Sequence, residues 1–376
     1  MRRPLRIGVN ALYLIPGEVG GTEIYLRSLL AALARVDDRN EYFVYVNAET
    51  AGHIAIESGR FHVVECRVRA GFRPWRIAWE QTALPWRLWL DRIDVVLNPG
   101  FTAPVLLGGR SVTVFHDLQH KKHPEFFRWF DLPFWNLMLW LAAVRSRALI
   151  AVSQATADDL RRYYPRTKGK IAVIHHGVDP EFFRIAERRD MKAVLRDSFL
   201  LTVSTLHPHK NLERLMEAFR VFRDAHPEFR LIVAGLKGFA TERLAARRRE
   251  LGLEGAVAFT GWIPRSELYR LFEGATAYVA PSEFEGFGMP VIEALAAGIP
   301  CACSAIPPFD EVAGDAAVRF DPASVAQIAA AMETVACDES FRSRAETLGR
   351  ARAARFDWNA AARATLRELE RVAGAP

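Results

Sequence analysis

The chain has 376 residues, half of them apolar and a quarter charged, a balance that excludes a disordered protein and gives length for two ordinary domains. Fifty Lys and Arg against 44 Asp and Glu leave a net charge of +6. With no aromatic-interleaved basic patch, this excess does not point to nucleic acid, but it suits a phosphate-bearing substrate or an anionic membrane surface.

In chain order, Met1-Arg2-Arg3 opens like a signal peptide, but Arg6 and Asn10 interrupt the apolar run that would follow, so 5–11 is expected to be the first strand. Short β-rich runs at 7–11, 42–46, 95–97, 111–115, 148–152 and 171–174 alternate with stretches of helical periodicity. A second series stands at 200–204, 231–234, 257–260, 277–280 and 300–304. Such alternation predicts βαβ units and parallel sheets buried on both faces. The polar stretch 179–197 divides the two series, so the fold class is α/β with two Rossmann-like, doubly wound domains and a boundary near residue 185. The tail 358–372 is a charged amphipathic helix.

The most apolar stretch, 132–144, is broken by Asn136 and is too short to cross a hydrocarbon core of ~30 Å. A cytoplasmic protein is therefore expected, with association at the inner face of the membrane left open. The segment 126–141 is unusually aromatic and is flanked by Lys121, Lys122, Arg145 and Arg147. Aromatic stripes at helical spacing are more often core, and core is the favoured reading, with peripheral membrane contact through 121–147 as the other. Cys66, Cys301, Cys303 and Cys337 include one close pair and no second pair at metal-ligand spacing, and read as buried thiols in a reducing cytosol.

Three segments carry chemistry. The first, Pro16-Gly17-Glu18-Val19-Gly20-Gly21-Thr22-Glu23, precedes a helical pattern at 24–34, with Thr22 suited to cap it. Glycines there bring backbone N–H groups of a helix start close to an anion. It is neither Gly-x-Gly-x-x-Gly nor a phosphate-loop motif, which disfavours a nicotinamide or ATP enzyme. The second ends the first strand of the second domain: Thr205, His207, His209 and Lys210 precede a helix at 212–219. A lysine ahead of a helix start is misplaced for the dipole and suits a diphosphate instead. The third, Glu285-Gly286-Phe287-Gly288-Met289-Pro290-Val291-Ile292-Glu293, places two glycines before a helix that begins with a proline, and two carboxylates able to accept bonds from sugar hydroxyls. The histidine groups 116/120/123, 175/176 and 207/209 read as polar site residues rather than metal ligands.

Glu285-x7-Glu293 with its internal Gly-Phe-Gly-Met-Pro resembles the signature of the family 4 glycosyltransferases. So do Gly20 to Glu23, His116-Asp117, Val152-Ser153, His176-Gly177-Val178-Asp179, Thr260-Gly261-Trp262 and 304–311. With Trp79-Glu80-Gln81 and Val114 to Leu118, the N-terminal half is most similar to bacterial mannosyltransferases of polysaccharide and lipopolysaccharide assembly. The resemblance implies the GT-B fold, two domains facing each other across a cleft. Residues 1–185 would take the acceptor and 186–355 the nucleotide sugar, with a last helix, 356–376, packing back on the first domain.

The resemblance also implies roles. Glu293 holds the donor ribose, Glu285 and the backbone of Gly286, Phe287, Gly288 and Met289 the sugar and distal phosphate, and Lys210 the diphosphate. Gly20 and Gly21 approach the diphosphate from the opposite domain, and His116 lines the sugar pocket. Thr205, His209, Gly235, Gly261 and Trp262 complete the donor-binding set, with His116, Lys210 and Glu285 as the catalytic residues. One departure stands out: Thr205 replaces the arginine many members carry five residues before the lysine, so the second cation is missing or comes from His207, His209 or Lys237.

The implied reaction is retaining and needs no metal or other cofactor: a hexose moves from a GDP- or UDP-linked donor, GDP-mannose first, to a hydroxyl of a glycan or lipid-linked acceptor. A sugar-nucleotide 2-epimerase and a non-catalytic nucleotide-sugar binder are the rival readings.

Overall fold

A computed structural model describes residues 3–17 and 20–374, apart from the side chains of 108 and 191–193. It divides into two compact units, Met1–Gly177 with Asp357–Pro376, and Val178–Phe356. The division falls ahead of the position near 185 expected from the sequence. The polar stretch read there as a break instead forms the helices Pro180–Arg188 and Met191–Arg196. The first of these is amphipathic: Asp179 caps it by accepting a hydrogen bond from the Glu181 amide, and Phe182 and Ile185 are buried.

The first unit holds β1 (Arg6–Ala11), β2 (Glu41–Val46), β3 (Phe61–Glu65), β4 (Val95–Asn98), β5 (Ser111–Phe115), β6 (Ala148–Ala151) and β7 (Ile171–Val173), in the order β3-β2-β1-β4-β5-β6-β7. The second holds β8 (Phe199–Val203), β9 (Arg230–Ala234), β10 (Val257–Gly261), β11 (Ala277–Ala280), β12 (Cys301–Ser304) and β13 (Ala317–Phe320), in the order β10-β9-β8-β11-β12-β13. Every neighbouring pair is parallel. The inner strands β4, β5, β6, β11 and β12 are buried at every residue, which is why they read as unbroken apolar runs. The sequence reading missed β3 and β13. Both are edge strands, and the exposed positions in Phe-His-Val-Val-Glu break the apolar signal.

The last helix, Trp358–Gly374, belongs to the first unit and packs along Gly21–Val36. Arg35 Nε donates to Asn359 Oδ1 at 3.0 Å, and Arg39 pairs with Glu370 at 2.6 Å. Its start presses so closely on Gly177 that a Cβ there would lie 2.2 Å from the Trp358 nitrogen.

No described helix is long and apolar enough to cross a membrane. The core reading of 126–141 holds for one face only. Met138, Leu139, Ala142 and Ala143 are buried, Leu139 and the two alanines in a cluster with Leu118 and Leu149, whereas Trp129, Phe130, Phe134 and Leu137 are exposed. The helix Leu132–Arg145 is apolar on nearly every side, so most of its exposed face, Pro133, Phe134, Leu137 and Trp140, is apolar.

Candidate active site

In each sheet the chain leaves its first strand in one direction and later returns to the other side, between β1 and β4 in the first unit and between β8 and β11 in the second. Open α/β sheets bind ligands outside the strand carboxyl ends at such a point. In the second unit, the loops that leave β8 and β11 there carry Lys210 and Glu285.

The Lys210 Nζ lies 2.6 Å from Glu285 Oε1, with both side chains largely withdrawn from solvent. Ser282 Oγ donates to the same oxygen at 2.8 Å. Asn211 takes a left-handed conformation, φ 55°, and its amide donates to the Pro281 and Pro322 carbonyls at 3.1 and 2.8 Å. The Glu283 amide donates to His209 O at 2.9 Å, and Arg214 spans Asn211 Oδ1 and Glu283 Oε1 at 3.0 and 2.5 Å. The two loops are thus fastened before any ligand arrives.

Gly288, at φ 109°, turns the second loop into the helix Met289–Ala296. A Cβ on it would lie 2.7 Å from the Phe309 ring. The helix start leaves backbone N–H groups beyond the strand ends, where they favour an anion. Thr202, Ser204, Ser282, Glu285, Gly288 and Phe309 line a small open pocket. Gly235, at φ 149°, approaches Ser204 O so closely that a Cβ would stand 2.1 Å away, and its amide donates to Gly261 O at 3.2 Å. Gly261, at φ 71°, ends β10, and the Trp262 ring after it is exposed. Phe287 is buried against Phe356, which leaves only its backbone for a ligand.

Glu293 is buried, and Arg265 Nη2 donates to its Oε1 at 3.0 Å. The same nitrogen reaches Asp179 Oδ2 at 3.5 Å, and the Tyr269 hydroxyl donates to that oxygen at 2.5 Å. Burial pushes the Glu293 carboxyl above its ordinary value, and Arg265 works against that. The sequence reading missed this Arg265–Tyr269–Asp179 support, as it missed Asn211 and Arg214. Arg265 and Tyr269 stand four residues apart on one helix, but nothing in the chain brings residue 265 to residue 293.

Of the groups suggested as a second cation, His207 is held below the ordinary histidine range by burial and by Lys210. Its ring stacks with that of His209 at 5.8 Å, and Lys237 is exposed. Thr205 accepts a hydrogen bond from the His207 amide through its carbonyl at 2.7 Å.

In the first unit Glu18 and Val19 of the glycine-rich loop, like Met1 and Arg2, lie outside the described residues. Gly20 caps the helix Gly21–Val36 at φ 64°, a conformation that favours glycine, so Thr22 lies inside the helix instead of capping it. Glu23 accepts from the Gly17 amide at 2.8 Å and pairs with Arg27 at 2.8 Å, which closes the loop. His116 follows β5, buried, with Nε2 donating to Pro99 O at 2.9 Å. Burial pushes it down to about 4, so its imidazole is neutral at physiological pH. Tyr25, Phe101 and His176 surround it with ring centroids at 4.9, 5.2 and 5.6 Å. Glu80 is buried with Arg76 at 3.3 Å and accepts from Thr102 at 3.0 Å, while Gln81 holds the Ala103 carbonyl and the Val105 amide. These residues fasten the loop after β4. Among the described residues, the histidine groups noted in the sequence form no ligand cluster. The one group of described residues within metal-binding reach is His226, Glu333 and Cys337.

Residues 19–182 match the family model for Glycosyltransferase Family 4, and residues 183–352 match the model for Glycosyl transferases group 1. The chain belongs to the family 4 glycosyltransferases. It is 26% identical over 267 residues to the O-antigen chain mannosyltransferase B of Escherichia coli, covering 69% of this chain and 70% of that protein. Its fold is similar to the sucrose-phosphate synthase of Thermosynechococcus elongatus, with a TM-score of 0.79 at 17% identity over 98% of both chains. It is also similar to the Anabaena protein Alr3699/HepE in complex with UDP-glucose, with a TM-score of 0.75 at 19% identity over 98% of this chain and 100% of that one. These neighbours share the GT-B fold.

Proposed function

We propose that this glycosyltransferase moves a hexose, mannose from GDP-mannose ahead of glucose or N-acetylglucosamine from UDP donors, to a hydroxyl of a glycan or lipid-linked acceptor, with retention at the anomeric carbon. The observation that carries the donor site is the Lys210–Glu285 pair at the point where the second sheet reverses direction. An ammonium has three donors. Lys210 can therefore stay bonded to Glu285 while it meets the departing diphosphate. The N–H groups at the start of Met289–Ala296 add partial positive charge from a fixed direction. In this reading Glu285 takes a sugar hydroxyl, Glu293 takes the ribose hydroxyls with Arg265 holding its other oxygen, and Trp262 stacks on the base.

The bond from the anomeric carbon to the diphosphate oxygen breaks as the acceptor oxygen bonds on the same face. The acceptor proton passes to the diphosphate. Protein groups then meet the leaving charge, and no metal is required. The O-antigen mannosyltransferase relative favours GDP-mannose, while the UDP-glucose bound by the Anabaena neighbour keeps the uridine donors as the second choice.

Product analysis with GDP-mannose, UDP-glucose and UDP-N-acetylglucosamine tests the reaction class. Transfer releases a nucleoside diphosphate and places the sugar on an acceptor with its anomeric configuration kept. A donor returned with an altered sugar and no acceptor product would make the enzyme an epimerase instead.

A further inference from the structure

In the second unit the helices Leu212–Ala225 and Val325–Cys337 pack against each other. Their starts are tied, because the Asn211 side chain ahead of the first donates to Pro322 O ahead of the second. Their far ends meet as well. His226, which follows the first helix, donates from Nε2 to Glu333 Oε2 at 2.6 Å. Cys337, which ends the second, places its Sγ 3.7 Å from the same nitrogen. Glu333 and Cys337 stand four residues apart and so share one face of their helix. The ligand atoms of the three residues all lie within 4.8 Å of one another.

The group is more than a surface ion pair. The His226 ring is fixed in place: it stacks on Phe222 with centroids 4.7 Å apart and meets Phe229 edge-on at 5.9 Å. Glu228 Oε1 stands 3.8 Å from Nδ1, the other ring nitrogen. A carboxylate on that side favours the tautomer with its proton on Nδ1, which leaves Nε2 for a metal. Cys66, Cys301 and Cys303 are buried, as the sequence suggests, but Cys337 is only half-buried, so a cation can reach its thiol.

We propose that His226, Glu333 and Cys337 hold a zinc ion, with water in the fourth position. Imidazole nitrogen, carboxylate oxygen and thiolate sulfur together suit a borderline-soft divalent cation, whereas magnesium and calcium take oxygen ligands. Tetrahedral zinc at its usual bond lengths sets nitrogen and sulfur roughly 3.6 Å apart, close to the 3.7 Å between His226 Nε2 and Cys337 Sγ. It sets nitrogen and oxygen roughly 3.3 Å apart, so Glu333 must draw back from its hydrogen bond. Its side chain is exposed and can do so. The thiol proton passes to water as the sulfur binds. The ion joins the far ends of two helices whose starts Asn211 already ties. The first helix has 14 residues, which sets the group roughly 20 Å along its axis from the Lys210 end. The proposal therefore does not rest on the donor reading.

Titration of the metal-free full chain with zinc against a chromophoric chelator tests it, with cobalt as the spectroscopic probe. One zinc per chain is expected, at micromolar affinity or tighter, and excess magnesium should not displace it. Cobalt should give a thiolate charge-transfer band in the near ultraviolet that is absent in Cys337→Ser. His226→Gln and Cys337→Ser should each weaken zinc binding at least about tenfold, since even the partners behind metal ligands are worth that much. Glu333 is exposed, so Glu333→Gln leaves the fold intact and should show the same loss. Zinc should also raise the melting temperature of the parent and leave that of Cys337→Ser unchanged. A parent chain that binds no zinc at micromolar concentrations would overturn the proposal. So would zinc binding that all three variants retain, which would place the ion elsewhere, or cobalt binding without the thiolate band.

Discussion

A lysine and a glutamate 2.6 Å apart on two ligand-side loops can be structural or catalytic, and single substitutions separate the two roles. If Lys210 meets the diphosphate, Lys210→Ala should lower turnover by roughly one to three powers of ten, comparable with losing one oxyanion donor. Glu285→Ala should fall in the same range, with melting close to the parent. Near-normal rates in both variants would contradict a catalytic role for the pair. Glu80 makes the opposite prediction. It is buried against Arg76 and bonded to Thr102. Glu80→Ala leaves the guanidinium buried without its partner and should cost about 3–5 kcal/mol in urea unfolding. A change below about 1 kcal/mol would mean that water reaches Arg76 more freely than its burial indicates.

At the scale of elements, the motif 285–293 was legible because its spacing is local: glycines, a proline and two glutamates within one loop and helix. The eleven strands read from the sequence are those with continuous apolar runs. The two missed are edges: β3 has exposed residues that break its apolar run, and β13 is a short strand interrupted by Arg319. What escaped the sequence was contact at long range. Arg265 beside Glu293, and Asn211 between Pro281 and Pro322, depend on strand order, which no local pattern contains. The last helix was legible as amphipathic, but its pattern alone did not say which unit its apolar side covers. Trp358 stacks on His176 with centroids 5.8 Å apart and is buried against the helix Gly21–Val36 side of the first unit. Trp358→Ala should therefore destabilise the first unit by about 3–5 kcal/mol, measured by urea unfolding.

For the whole molecule, buried histidines set the acid limit of stability. His116 and His120 are both pushed down to about 4 by burial, and His176 is held well below the ordinary value for the same reason. Between about pH 4 and the unfolded value near 6.5, the unfolded chain binds more protons than the native one. Stability is thus complete above about 6.5 and falls as the pH drops, by about 1.4 kcal/mol per pH unit for each histidine still neutral in the native state. Urea midpoints at about pH 7 and about pH 5 should show this fall, and His120→Gln should reduce it. An equal midpoint at both would mean that these rings are not neutral and buried together.

The most direct test of the central claim, that the second unit holds a nucleotide sugar through Lys210, Glu285 and Glu293, is calorimetric titration with GDP and then UDP in the absence of metal. It needs no acceptor. Micromolar binding of one nucleotide, GDP first, is expected, and it should be lost in Glu293→Ala. Binding of neither, or binding unchanged in Glu293→Ala, would contradict it.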